Sequence, residues 1–159
     1  MTWLDQNLPG GARDLIGYGP NPPKVKWPDN ARVVVNLVLN YEEGAEYAVV
    51  AGDDRNEGFT EYNMEPLAPP HRDLVAESVY EYGSRAGVWR LLRLFDRYDL
   101  KVTVFACAVA LARNPAVAEW IARAGHEPCS HGWRWSEYWR MTRDQEQEEI
   151  AKAVADIHR

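Results

Sequence analysis

The chain has 159 residues, of which 46% are hydrophobic and 26% charged, and its formal net charge is -6 at pH 7. This balance is typical of a globular domain and excludes a disordered segment. The acidic charge and the scattered Lys and Arg residues argue against a nucleic-acid partner, because phosphate binding needs concentrated positive charge. The sequence also lacks a secretory signal and an apolar run of the roughly 18 residues that a membrane span requires. We therefore expect a cytoplasmic protein whose Cys107 and Cys129 are reduced.

The N-terminal segment, residues 1–31, is rich in proline and glycine, which predicts an extended, irregular lead-in to the domain at 32–159. Residues 32–39 are almost continuously apolar and β-branched, which predicts a strand buried on both faces, as in a parallel sheet. Residues 45–78 show no sustained period. A loop of that length inside a compact domain is usually functional.

The rest of the chain alternates between helical and strand patterns. Apolar residues recur at helical spacing over 81–98, and Thr142 with Gln145 forms a capping box that opens a last helix at 142–158. The segments predicted between them are strands over 101–106 and 126–129 and helices over 108–112 and 116–124, the latter ended by Gly125. Such alternation predicts parallel strands joined by right-handed crossovers, so the fold class is α/β.

Three predicted strands with their helices make about half of a barrel. A half barrel leaves a parallel strand edge unpaired, which folded proteins avoid. We therefore expect a complementary subunit to supply the other half, so that the active protein is an oligomer.

The candidate chemistry lies where two strands end. In parallel α/β folds the sites lie at the carboxyl ends of the strands, and Glu42, Glu43 and His131 follow the first and third strands. Adjacent carboxylates repel, so the pKa of one should rise towards the range of a general base, while a histidine opposite serves as an acid or polarises a carbonyl. The alternative is that both glutamates are solvated loop charges and His131 only caps a helix.

A metal site is less favoured by the residues alone. Zinc needs three protein ligands, two of them usually close in sequence, and the residue four positions after His131 is Trp135, which cannot bind a metal. His126 precedes a strand and is predicted to be structural, whereas His71 in the long loop stays open.

Arg85 is a further candidate for binding. Gly83 and Gly87 flank it near the predicted helix start, where glycines allow close backbone approach and leave free N–H groups. Arg85 would then hold a substrate carbonyl or one of the two glutamates, unless it only pairs with Glu81.

Two of these motifs resemble the NodB-homology polysaccharide deacetylases. Residues 40–44 (Asn-Tyr-Glu-Glu-Gly) stand in place of that family's Thr-Phe-Asp-Asp-Gly, and residues 131–135 stand in place of its His-Ser/Thr-x-x-His. The resemblance assigns the family's base to Glu42, its carboxylate metal ligand to Glu43 and its first metal histidine to His131. Trp135 stands at the second histidine, so the family's metal triad is broken.

The full motif set is similar to the metal-independent allantoinase branch of that family. Four segments match in order, namely 14–19, 41–44, 80–90 and 130–135. This resemblance implies the N-terminal half of a distorted (β/α) barrel of the polysaccharide deacetylase type.

The resemblance implies a hydrolase that opens a cyclic amide or ureide at a C–N bond without a cofactor. We expect Glu42, Glu43 and His131 to be catalytic, and the substrate to be contacted by Tyr41, Arg85, Trp133 and Trp135. One alternative is zinc-dependent deacetylation of an N-acetyl sugar, with His131 and a carboxylate as ligands. The other is a non-catalytic structural subunit.

Overall fold

The computed structural model describes residues 13–60 and 65–158, and the chain divides into two compact units between Val35 and Asn36. In the first unit, Asp14 Oδ1 accepts hydrogen bonds from the backbone N–H groups of Ile16 and Gly17 at 2.9 and 3.0 Å. These bonds close a local turn and lower the pKa of Asp14. Residues 1–12 of the predicted lead-in lie outside the described residues.

The second unit is built on a parallel sheet. Its strands are β1 (Val38–Tyr41), β2 (Thr103–Ala106) and β3 (Glu127–Ser130), arranged in the order β1-β2-β3. Both pairings are parallel, with Thr103 opposite Val38 on one side and opposite Glu127 on the other. The predicted α/β class with a parallel sheet is confirmed.

The first strand begins later than its composition predicted. Pairing with β2 starts at Val38, and the backbone bond from Thr103 N–H to Leu37 O (3.0 Å) is its outermost one. The predicted bounds of 32–39 are therefore wrong, since β-branched residues form a strand only where a neighbouring strand offers partners. The strand also runs on to Tyr41, which the sequence placed in the following loop.

The helices of the second unit cover the sheet in short segments. They are α1 (Leu74–Tyr82), a π-helical turn (Gly83–Gly87), α2 (Val88–Arg97), α3 (Ala108–Arg113), α4 (Pro115–Ala124) and α5 (Arg143–Ile157), with 3-10 turns at Val49–Ala51 and Tyr138–Arg140. The capping box of α5 is confirmed: Thr142 accepts the N–H of Gln145 at 3.3 Å, and Gln145 Oε1 accepts the N–H of Thr142 at 2.8 Å.

The helix predicted over 81–98 starts seven residues earlier, at Leu74. Its N-cap is Asp73, whose carboxylate accepts the N–H of Ala76 at 3.1 Å. Gly83 and Gly87 therefore lie within a continuous helical run and not at its start. The expectation that they leave free N–H groups for binding is wrong, because helical N–H groups beyond the first turn are paired within the helix.

The hydrophobic core lies between the sheet and the helices. Leu92, Val104 and Val117 are completely buried in it. His126 is buried at its edge, and its Nδ1 accepts the N–H of Val102 at 3.4 Å, which agrees with the structural role predicted for it. Within the part of the chain that the structure describes, none of the helices has both the length and the apolar content to span a bilayer.

Two neighbouring leucines of α2 test how much this core contributes. Leu92 is 0% exposed and Leu91 is 39% exposed. We expect Leu92→Ala to lower the free energy of unfolding by about 2–5 kcal/mol, because it removes buried methyl groups and leaves a cavity. The same change at Leu91 is the control and should cost clearly less. Equal losses in urea denaturation would contradict this placement of the core.

Candidate active site

The candidate site lies at the carboxyl edge of the sheet. β1 ends at Tyr41 and is followed by Glu42 and Glu43, and β3 ends at Ser130 and is followed by His131. The structure brings the two loops together, and Glu42 Oε1 contacts His131 Nδ1 directly. Two of the three residues predicted to be catalytic therefore form a pair.

The residues that follow β2 hold these two loops in place. Immediately after β2, Cys107 N–H donates to Tyr41 O at 3.1 Å, and Ala108 N–H donates to Gly132 O at 3.1 Å. One short segment thus fixes the backbone on both sides of the site.

Glu42 is oriented by a second neighbour. Asn40 Nδ2 donates to Glu42 Oε1 at 3.2 Å, the oxygen that also contacts His131. The Glu42 side chain is mostly buried, whereas that of His131 is half-exposed. The imidazole is therefore held on one side and accessible on the other.

Glu43 is partly buried, as Glu42 is, and the pKa of its carboxyl is raised. Burial is the largest cause; backbone N–H groups, including that of Glu42 at 3.2 Å from Oε2, lower the pKa, while the charges of Glu42 and Glu46 raise it further. The sequence predicted such a rise from repulsion between adjacent carboxylates. The rise is present, but desolvation contributes more to it than repulsion.

The burial of Glu43 depends on Gly83. A Cβ atom added to Gly83 would lie 2.7 Å from both Cγ and Cδ of Glu43, which is too close for any real contact. Gly83 has ordinary helical backbone angles, so the position needs glycine for space and not for conformation. The close backbone approach predicted for this glycine is present, and its partner is Glu43.

A cavity of about 270 Å³ opens beside the two glutamates. Its lining residues are Asn40, Glu42, Glu43, Phe59, Thr60, Val79, Tyr80 and Trp135. Trp135 meets Phe59 and Tyr80 edge to face, with ring centroids 5.9 and 5.8 Å apart. The three rings form an aromatic wall opposite the carboxylates.

Phe59 and Tyr80 were not among the residues predicted for the site. Phe59 comes from the long loop that the sequence marked as functional, and an aromatic residue in such a loop was the available signal. Tyr80 lies on α1 and its ring is part of the aromatic wall. Burial raises the pKa of its hydroxyl, and nearby glutamates raise it further, so the hydroxyl is neutral; it donates to the backbone O of Phe59.

The structure does not bring Trp133 or Tyr41 to this cavity. Trp133 turns towards α5, where Lys152 lies over its ring at 3.2 Å from the centroid and Asp156 accepts its Nε1–H at 3.3 Å. Tyr41 is 1% exposed and packs into the core, where burial raises its pKa to about 12. Tyr41 instead lines a neighbouring cavity that Glu43 also lines.

Arg85 also lies away from the aromatic wall. Its guanidinium pairs with Glu81 at 3.1 Å, four residues earlier on the same helical run, and the side chain is exposed. This is the structural alternative that the sequence left open. Arg85 lines a neighbouring cavity of about 280 Å³ that lies beyond Glu43.

The residues of the site do not fit a metal triad. Trp135 presents an indole where a second histidine would be needed, and the His131 Nδ1 atom is engaged by Glu42. In residues 13–60 and 65–158, no three His, Cys, Asp or Glu side chains are arranged to hold a metal ion.

Comparison with known proteins places this arrangement in a family. The sequence model described as polysaccharide deacetylase matches residues 69–159. A protein of Schizosaccharomyces pombe (strain 972 / ATCC 24843), whose name places it among the polysaccharide deacetylases, is 38% identical over 150 residues. That match covers 92% of this chain and 47% of the yeast protein.

Solved structures give the same result. The crystal structure of PuuE allantoinase is 48% identical with a TM-score of 0.82, and the match covers 91% of this chain and 48% of that one. A Pseudomonas aeruginosa PAO1 protein, also named among the polysaccharide deacetylases, is 50% identical with a TM-score of 0.82, covering 91% and 49% of the two chains. The chain thus spans about half the length of the proteins that it matches. The predicted polysaccharide-deacetylase-type fold is confirmed.

The two glycines of the π-helical turn provide a matched test of how Glu43 is held. A Cβ atom at Gly87 would meet only Tyr82, at an ordinary 3.6 Å. We expect Gly83→Ala to push the Glu43 carboxyl towards solvent, so that its raised pKa falls towards the usual value. The pKa is measured by pH titration of the carboxyl carbon in NMR spectra.

Gly87→Ala is the control, because both glycines have helical angles. It should leave the pKa of Glu43 unchanged and stabilise the chain by up to about 1 kcal/mol, as expected for Gly to Ala in a helix. An unchanged Glu43 pKa in Gly83→Ala would show that Gly83 does not determine its burial.

Proposed function

Because the chain belongs to the polysaccharide deacetylase family, we propose that it contributes to a hydrolase of C–N bonds whose target bond lies in a cyclic amide or ureide. The observation that carries this proposal is the Glu42–His131 pair beside a cavity in which Trp135 replaces a metal ligand with an aromatic ring. The similarity to a protein named allantoinase supports the same class of substrate.

The two glutamates are in different environments, which supports separate roles. Enzymes that need an acid and a base often place two carboxyls where their pKa values are pushed apart. Glu43 has a raised pKa, so its carboxylate is suited to remove a proton from water near neutral pH. Glu42 contacts His131 and is suited to orient it.

The proposed reaction adds water across the C–N bond. Glu43 accepts a proton from water, the water oxygen bonds to the carbonyl carbon, and Glu43 passes that proton to the ring nitrogen as the C–N bond breaks. His131, as an imidazolium with Nδ1–H directed to Glu42, donates its Nε2–H to the developing oxyanion. Catalysis leaves both glutamates in their starting state.

The lining of the cavity favours a planar ring. The aromatic wall of Phe59, Tyr80 and Trp135 offers ring faces and edges to a flat substrate. Asn40 and Tyr80 also line the cavity. The Asn40 amide donates to Glu42 and the Tyr80 hydroxyl to Phe59 O, which leaves their oxygens as acceptors for the N–H groups of such a ring.

The proposal includes a complementary chain. Among the described residues, β1 and β3 each have β2 as their one strand neighbour, and the matched proteins are about twice as long. We propose that further strands, from a second subunit or from additional chain, close the cavity on its open side. Activity is therefore to be measured on the complete assembly.

Substitution of each carboxylate separates the two roles. We expect Glu43→Gln to lower kcat for hydantoin or allantoin by about 10²–10⁴-fold, the usual contribution of a general base. Glu42→Gln should cost about 10²–10³-fold, because His131 loses its orienting charge. Steady-state kinetics of both variants with the same substrate measure these effects.

Arg85→Gln is the matched control, since the Arg85 side chain is exposed and its guanidinium pairs with Glu81. It should leave kcat within about twofold, as for most surface changes. Unchanged activity in Glu42→Gln and Glu43→Gln would instead support the non-catalytic structural subunit. Hydrolysis of an N-acetyl sugar that depends on added zinc would support the deacetylase alternative.

The pH profile assigns the base. Glu43 must be ionised to accept a proton, and its pKa is raised, so kcat/KM should fall as the pH is lowered through a value above that of an ordinary glutamate. Glu43→Gln should abolish this acid limb in the remaining activity, and Glu42→Gln should retain it. The reverse result would give the base role to Glu42, as the family motif implies.

A further inference from the structure

Arg134 makes an extensive set of contacts that the proposed chemistry does not use. Its Nη1 and Nη2 each donate to Asp53 at 2.9 Å, forming a two-pronged ion pair. Nη2 also donates to Glu46 O at 2.8 Å, and the guanidinium lies 4.9 Å from the ring centroid of Tyr47. The side chains of Arg134 and Asp53 are only 19% and 14% exposed.

These contacts connect the two loops that carry the candidate catalytic residues. Along the loop after β3, Arg134 follows His131 and directly precedes Trp135. Asp53 and Glu46 belong to the loop after β1. Beside them, Trp135 N–H donates to Ala45 O at 3.2 Å. Arg134 lies three residues after His131, whereas Glu46 and Asp53 lie four and eleven residues after Glu42.

Asp53 is itself fixed in its charged form. Burial alone would raise its pKa, but hydrogen bonds from Arg134 and from the N–H of Ala48 (2.9 Å) outweigh burial, and the pKa is lowered. A charged, mostly buried partner gives each bond to the guanidinium more strength than an exposed ion pair has.

We propose that Arg134 and Asp53 are positioning residues, which set the separation between His131 and the two glutamates by clamping the loop after β3 onto the loop after β1. This inference rests on the proposed function for its kinetic readout, but its structural readout is independent of any substrate. Neither residue lines the cavity beside Glu42, and Arg134 lines the neighbouring cavity together with His131 and Trp135.

The fork of a guanidinium is essential to this arrangement. A lysine at position 134 would keep the charge, but a single ammonium cannot bind both oxygens of Asp53 and the carbonyl of Glu46 in the same planar geometry. Loss of the clamp would let the loops move apart. A displacement of about 1 Å at a catalytic group lowers the rate by as much as about 10²-fold.

A second ion pair between the same two loops provides a matched control. Arg55 and Glu137 also form an ion pair at 2.9 Å between them, and the Arg55 guanidinium also lies over the Tyr47 ring, 4.0 Å from its centroid. That pair is more exposed and has no bond to the carbonyls of residues 45 and 46 among the described contacts. Arg55→Lys therefore weakens a comparable pair without releasing the clamp.

The first measurement is the position of the His131 ring resonances in NMR spectra of histidine-labelled complete protein. We expect Arg134→Lys and Asp53→Asn each to shift them, and the double variant to add little, because both changes break the same clamp. The resonances of His126, buried in the core, should stay in place and show that the variants are folded. Arg55→Lys should leave the His131 resonances unchanged.

The second measurement is the hydrolysis rate. Arg134→Lys and Asp53→Asn should each lower kcat by about 10–10²-fold with a smaller change in KM, and again their effects should not add. Unshifted His131 resonances in both single variants, or an equal shift in Arg55→Lys, would overturn the proposal. If the unsubstituted protein hydrolyses no cyclic amide while the expected shifts occur, the clamp stands and the proposed function fails.

Discussion

The candidate site depends on the registry of a parallel sheet. β2 pairs with both neighbours, and the residues that follow it bond to the backbone of Tyr41 on one side and Gly132 on the other. Because parallel strands end at one edge, this registry brings Glu42 within contact of His131 although they are far apart along the chain. Every other feature of the site is built around that fixed edge.

The environment of Glu43 makes its carboxyl chemically different from that of Glu42, although the two residues are neighbours in one loop. The absence of a side chain at Gly83 lets the helical run approach the loop after β1 and cover this carboxyl. Removing water from a carboxylate costs free energy. The protonated form is therefore favoured, and the pKa of Glu43 is raised. Opposite it, Trp135 lines the cavity with an aromatic ring where the family motif has a metal ligand.

Local sequence patterns predicted much of the fold and part of the site. Two local features could be predicted without a structure, because they depend on bonds between residues close in sequence. They are the capping box of Thr142 and Gln145 and the helix-ending Gly125. The alternation of strands and helices predicted a parallel sheet, and its topology predicted that Glu42 and His131 would meet. The motif resemblance independently led to the same two residues and to the family.

Tertiary packing decided the remainder. β1 starts at Val38 because β2 offers partners only from there, and Trp133 faces α5 although its motif position suggested a ligand contact. Gly83 and Arg134 matter through contacts with residues distant in sequence, Glu43 and Asp53, which no local pattern encodes. The sequence by itself determined which chemical groups reach the carboxyl edge of the sheet. Only the folded chain decided which of them are buried, paired or turned away, because burial and pairing depend on neighbours that folding brings together.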